Sequence, residues 1–293
     1  MPMMQANGID IWFEQFGDPD DPAMLLVSGL GAQAIGYEPE YCKGIAELGL
    51  NVIRYDNRDV GLSTHVDHEV GDVMEAFASA VAGGEVDAPY TLSDMAADGM
   101  ALLSGLGIES AHIAGSSMGG MIVQTMAIEH PERVRSLTSV MSTTGEVEYG
   151  LPEPECLAGL ASIMAPSETR EERIESGVRL QKLIGTPTEW DEDRTRQKSA
   201  EQVDRAYDPD GTARQMLSIL ASGHRAEGLT KLEVPTMVLH GDCDPLVNVS
   251  GGERTAELVP GSEFRLMDGM GHDLPPAYWS HAIEAIRSVT SRA

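Results

Sequence analysis

Short apolar runs alternate with longer stretches of helical spacing along most of this chain. Runs rich in β-branched and aromatic residues predict strands at 9–16, 23–28, 51–55, 111–115, 134–141, 236–240 and 263–267. The first two are parted by Gly17-Asp18-Pro19-Asp20-Asp21-Pro22, a turn sequence. Helical spacing fills 38–48, 118–130, 252–258 and 281–289. A further helix opens at Thr91, where Asp94 completes a capping box, and ends near Gly105-Leu106-Gly107. Strands alternating with helices predict an α/β fold, a mostly parallel sheet with helices on both faces.

Residues 146–226 break this rhythm. They begin with Tyr149-Gly150-Leu151-Pro152, carry dense charge and hold a second capping box, Thr169 to Glu172. Ile174, Val178 and Ile184 give them one narrow apolar stripe. This predicts a helical cap inserted between two strands, with 1–145 and 227–293 forming the core. The Gly-rich 65–90 region reads as a long surface loop or a short irregular helix.

Gly115-Ser116-Ser117-Met118-Gly119 fits Gly-x-Ser-x-Gly between a predicted strand and a predicted helix. That is the context of a nucleophile elbow, whose sharp turn exposes the central serine, here Ser117. With 31 glycines in the chain the bare pattern is weak, so the weight lies on its context and its partners. A serine hydroxyl needs an oriented base to act as a nucleophile. Of the eight histidines, His112 lies inside a strand and reads as structural, His130 ends a helix, and His240 sits in an apolar strand. His272, in the glycine-flanked loop Gly269-Met270-Gly271-His272-Asp273, is free to reach across the end of a sheet and is the expected base. Asp242 and Asp244 both follow the strand ending at His240, where open α/β sheets place their sites. Asp244, just before the Pro245-Leu246-Val247 return, is the preferred acid.

The order Ser117, Asp244, His272 resembles the nucleophile–acid–histidine order of the α/β-hydrolases. The likeness extends through Val27-Ser28-Gly29-Leu30-Gly31, the Asp56-Asn57-Arg58-Asp59-Val60-Gly61-Leu62-Ser63 loop and Pro131-Glu132-Arg133-Val134. It implies an α/β-hydrolase fold and assigns the oxyanion hole to the backbone N–H groups of Leu30 and Met118. Ser28 stands where many relatives have histidine, which leaves backbone donors unaffected but puts the substrate subclass in question. Asp56 and Arg58 read as residues that hold their loop together. Met118, Met121, Met126, Met164 and Met216 are candidates for a pliable apolar pocket wall, with Met121 and Met126 equally readable as core.

A serine at the elbow excludes the aspartate-nucleophile dehalogenases and epoxide hydrolases of this fold. The pattern is most similar to small capped esterases, including anthracycline methylesterase-like proteins. The expected reaction is hydrolysis of a carboxylic ester of a small, largely apolar molecule through an acyl-enzyme. C–C bond hydrolysis, lactonase or cofactor-free haloperoxidase chemistry is the alternative on the same triad, and a slow-turnover receptor the alternative outside catalysis. No metal-ligand spacing or phosphate-binding loop occurs, so no cofactor and no metal are expected.

Bulk properties narrow the partners. The net charge of −27, from 47 acidic and 20 basic groups, disfavours nucleic acid and anionic membrane. No apolar run approaches the length of a membrane span. No basic-then-apolar leader is visible at 1–10, and three unpaired-looking cysteines fit a reducing, cytoplasmic setting. Nothing in the sequence specifies an oligomeric state.

Overall fold

A computed structural model describes residues 2–293. Its strands are β1 (Met3–Ala6), β2 (Ile9–Phe16), β3 (Ala23–Val27), β4 (Asn51–Tyr55), β5 (Ala111–Ser116), β6 (Val134–Val140), β7 (Thr236–Gly241) and β8 (Glu263–Met267). The sheet runs β1-β2-β4-β3-β5-β6-β7-β8, antiparallel over its first two strands and parallel from β4 to β8. Chain order reverses between β3 and β5, and such a switch point opens a crevice at the carboxyl ends of the strands.

The helices of the first half are α1 (Pro39–Ala46), α2 (Val73–Val81), α3 (Leu92–Gly105) and α4 (Met118–Glu129). Between β6 and β7 lie α5 (Pro154–Met164), α6 (Arg170–Ile184), α7 (Glu192–Arg205), α8 (Pro209–Ser222) and the short α9 (Ala226–Leu229). The chain ends with α10 (Ser250–Leu258) and α11 (Pro276–Thr290). None of these helices is long and apolar enough to cross a membrane.

Successive side chains of a strand point to opposite faces, and β3 feeds both layers of the core. Leu25 and Val27 pack with Met95, Ile113 and Ile122 on the α3/α4 side, while Met24 and Leu26 join Ile45, Val52 and Ile286 on the α1/α11 side. Both expected capping boxes form: Thr91 and Thr169 each accept from the N3 backbone, and Asp94 and Glu172 reach back. Each cap stabilises its helix by about 1 kcal/mol.

Two elements differ from the sequence reading. Edge strand β1, four residues with no β-branched side chain, is an addition to it. Within 65–90, Asp72 caps α2 by accepting from Met74 and Glu75 N–H, so that stretch holds a regular helix.

Candidate active site

β5 runs straight into Ser117, which sits at φ 57°, ψ −122°. This is the left-handed region that a residue bearing a Cβ rarely adopts, and neighbouring contacts have to hold it there. Ser117 N–H donates to Val140 C=O at 2.9 Å, and Ser142 Oγ donates to Ser117 C=O at 2.8 Å. The turn also demands glycine on either side. A Cβ at residue 115 would lie 2.1 Å from Gly119 O, and one at residue 119 would lie 2.0 Å from Val27 O. Those two glycines let strand and helix pass at backbone contact.

Ser117, Asp244 and His272 converge from the ends of three elements. Ser117 Oγ lies 2.9 Å from His272 Nε2, and His272 Nδ1 lies 2.7 Å from Asp244 Oδ2. Asp244 follows β7, and its other oxygen accepts from Leu246 N–H at 2.9 Å and Val247 N–H at 2.8 Å. Burial alone would raise its pKa. The charge of His272, hydrogen bonds from His240 and His272, and the Val247 N–H outweigh that and lower it to about 2. The Asp244 carboxylate is therefore ionised throughout the neutral range. Asp242 faces elsewhere, accepting from Gly269 N–H at 2.7 Å.

His240, read from sequence only as a strand residue, supports this acid. Its Nε2 donates to Val247 C=O at 2.7 Å and lies 3.4 Å from Asp244 Oδ2. Its Nδ1 is buried without a hydrogen-bond partner, pressed against Gly252. No local sequence signal marks it, because the role depends on the return of residues 244–247 beneath the ring. His112 is buried against Ser136, with Nδ1 to Oγ at 2.8 Å, and makes no hydrogen bond to Ser117, Asp244 or His272.

The two expected oxyanion donors lie beside the serine. Gly29 packs close to Ser117, where an added Cβ would sit 3.1 Å from the serine Cβ. Around them, Ala32 N–H donates to Gly29 C=O, Ser117 N–H to Val140 C=O, and Met121 N–H to Ser117 C=O. Leu30 and Met118 N–H have no hydrogen-bond partner among the described residues. The loop carrying Leu30 is pinned on both sides: Asn57 Nδ2 donates to Ser28 C=O at 3.0 Å, and Gly31 N–H donates to Gln215 Oε1 at 2.8 Å. Sequence reasoning missed both Asn57 and Gln215.

Asp56 does tie its loop together. It accepts from Ala34 N–H, Leu62 N–H and Arg205. Arg58 instead reaches α3, clamping Asp98 at 2.6 and 2.7 Å beneath the Tyr90 ring. Neither side chain lines the cavity.

That cavity, about 700 Å³, spreads from the serine between the sheet and α5–α8. Its walls include Leu157, Met164, Leu180, Trp190 and Met216 opposite Met118 and Met121. Met126 is core, fully buried and packed against Gly99. One cluster near the cavity, Asp59, His65 and Asp208, has a spacing that a metal ion could accept. Arg214 already occupies it, donating to Asp59 at 2.9 and 3.0 Å and to Asp208 at 3.0 Å. The guanidinium offsets one of the two carboxylate charges and takes up three of their oxygens' acceptor positions.

The chain is 28% identical to a rhodomycin D methylesterase of Streptomyces peucetius, over 99% of this chain and 98% of that protein. It is 27% identical, over the same shares, to the rhodomycin D methylesterase of Streptomyces sp. strain C5. An esterase from Exiguobacterium antarcticum superposes with a TM-score of 0.76 at 21% identity, covering 99% of this chain and 98% of its own. A model of the alpha/beta hydrolase fold matches residues 22–275, and the chain belongs to that family.

Proposed function

We propose that this protein is a serine hydrolase that cleaves a carboxylic ester through an acyl-enzyme. The continuous chain from Ser117 Oγ through His272 to Asp244, at 2.9 and 2.7 Å, carries the reading. Ser117 Oγ attacks the ester carbon as its proton passes to His272 Nε2. The N–H groups of Leu30 and Met118 receive the developing oxyanion, and removal of one such donor typically costs about 10²–10³ in kcat. Collapse expels the alcohol, which takes the proton from His272. Water, deprotonated by the same nitrogen, then attacks the acyl-enzyme; the bond to Ser117 Oγ breaks, Oγ takes the proton back from His272, and the acid is released. Asp244 stays ionised and keeps the proton on Nδ1, so that Nε2 is free to accept.

The full-length similarity to rhodomycin D methylesterases supports a methyl ester, with methanol as the leaving group. So small a leaving group needs little space, which leaves most of the cavity for an apolar acyl portion. Residues 146–226 act as a cap that selects this portion, a role supported by the α5–α8 side chains lining the cavity. We assign the protein to the cytoplasm, which its three free cysteines support. A panel of methyl, ethyl and nitrophenyl esters, with a lactone and a vinylogous diketone beside them, tests the activity. Turnover of the esters alone is expected, whereas preferred cleavage of the diketone would overturn the reading.

A further inference from the structure

The loop bearing His272 is fastened from two sides. On the core side, Gly269 N–H donates to Asp242 and Cys243 N–H donates to Met270 C=O. On the other side it is bonded to the C-terminal turn of α6. His272 N–H donates to Ile184 C=O at 2.7 Å, one of the carbonyls that a helix end leaves unpaired. Thr186 is 98% buried, its exposure only 2%, and its Oγ1 bridges the two segments. It accepts from Gly271 N–H at 3.0 Å and donates to Asp273 Oδ1 at 2.6 Å. The same carboxylate oxygen accepts from Thr186 N–H at 2.9 Å, and Oδ2 accepts from Gln181 Nε2 at 3.0 Å. The two backbones touch, since a Cβ on Gly271 would lie 2.6 Å from Gly185 C and O. Every member of this clasp is within one residue of His272 or within three of Ile184.

The clasp is also part of the cavity wall. Gln181, Ile184, Gly185 and Asp273 all line the space into which Ser117 opens. A substrate group that reaches this part of the cavity meets the turn that holds the histidine's backbone. Misplacing a catalytic group by about 1 Å costs as much as 10²-fold in rate.

We propose that Thr186 and Asp273 are positioning residues that couple the placement of His272 to the docking of the α6 turn, so that a substrate packing on this turn sets the base as it binds. The proposal rests on the ester-hydrolase reading above. Neither residue meets the reacting atoms, and the dependence is on geometry alone. Thr186 and Asp273 act as one unit, so removing either should forfeit the same coupling.

The test compares Thr186→Val, Thr186→Ser, Asp273→Ala and the Thr186→Val/Asp273→Ala double variant in the full-length protein. On a short methyl ester, Thr186→Val and Asp273→Ala should each lower kcat on the order of 10- to 100-fold with KM almost unchanged. Thr186→Ser should recover most of the loss, and the double variant should be no worse than the poorer single one. In NMR spectra without substrate, the resonance of the His272 Nδ1 proton bonded to Asp244 should broaden in Thr186→Val and sharpen again in Thr186→Ser. A wild-type kcat in Thr186→Val at a temperature where it is folded, a Thr186→Ser as poor as the valine, or an unchanged Nδ1 resonance would overturn the coupling. If the unaltered protein cleaved no ester, the activity reading would fail on its own, and the proton resonance would still decide the coupling.

Discussion

His272 Nδ1 lies 2.7 Å from Asp244 Oδ2, whereas Asp242, two residues earlier, accepts from Gly269 N–H at the base of the loop that carries His272 and makes no bond to the imidazole. The two aspartates are close in sequence and unequal in consequence. Asp244→Asn should lower kcat by about 10⁴-fold, because an amide can hold the imidazole in the wrong tautomer. Asp242→Asn should cost less than about tenfold, through loosening of the Gly269 turn. Equal losses in steady-state assays would move the acid from Asp244.

Ser117→Ala should lower kcat by at least about 10³-fold while leaving the circular dichroism spectrum unchanged, the residual rate coming from binding and the oxyanion donors. Ser116→Ala is the contrasting neighbour. It removes a hydroxyl bonded to Tyr37 OH, but that phenol keeps its bond to Val27 C=O, so the loss should be mild and confined to Tm. A dead Ser116→Ala beside an active Ser117→Ala would refute the elbow assignment.

Much of this site is legible in the sequence because its parts are local. The elbow needs glycine at 115 and 119 for backbone contact, and that need is written as a five-residue motif. The loops after β7 and β8 announce themselves by Gly, Asp, Pro and His in runs of a few residues. What the sequence hides is long-range. Thr186 and Asp273 are 87 residues apart, and Gly31 and Gln215 are 184 apart. Edge strand β1 is hidden for another reason, since Met3-Met4-Gln5-Ala6 has no β-branched residue to signal extension. Helix α2 buries no side chain fully, and its glycine-rich flank masks a regular Asp72 cap.

His112 gives the fold a pH dependence of its own. Burial first, and the nearby Arg135 charge second, lower its pKa from 6.5 to about 4. The unfolded chain therefore takes up a proton between these values while the folded one does not. The stabilising difference is intact above pH 6.5 and is lost as pH falls towards 4, a total of about 3 kcal/mol. Urea titrations from pH 7 to pH 4 should show this loss. A His112→Gln variant, which keeps a partner for Ser136, should show a shallower slope. Parallel slopes in the two proteins would contradict this account of His112.

Met164 and Met216 both line the cavity from the α5–α8 side. Replacing either with tryptophan should reduce kcat/KM for bulky acyl groups by about tenfold or more, as filling a pocket does. A short activated ester should react within about threefold of the wild-type rate. Uniform loss on every ester, with a lower Tm, would show that these positions hold the core together and do not select substrate.

The most direct measurement of the central claim is reaction with a fluorophosphonate, followed by mass mapping of the adduct while methyl-ester turnover is recorded in the same sample. The nucleophile must be the serine whose Oγ lies 2.9 Å from His272 Nε2. One adduct on Ser117, with turnover falling in proportion to its occupancy, is the predicted result. Turnover that persists in fully labelled protein, or an adduct on any residue other than Ser117, would contradict the account.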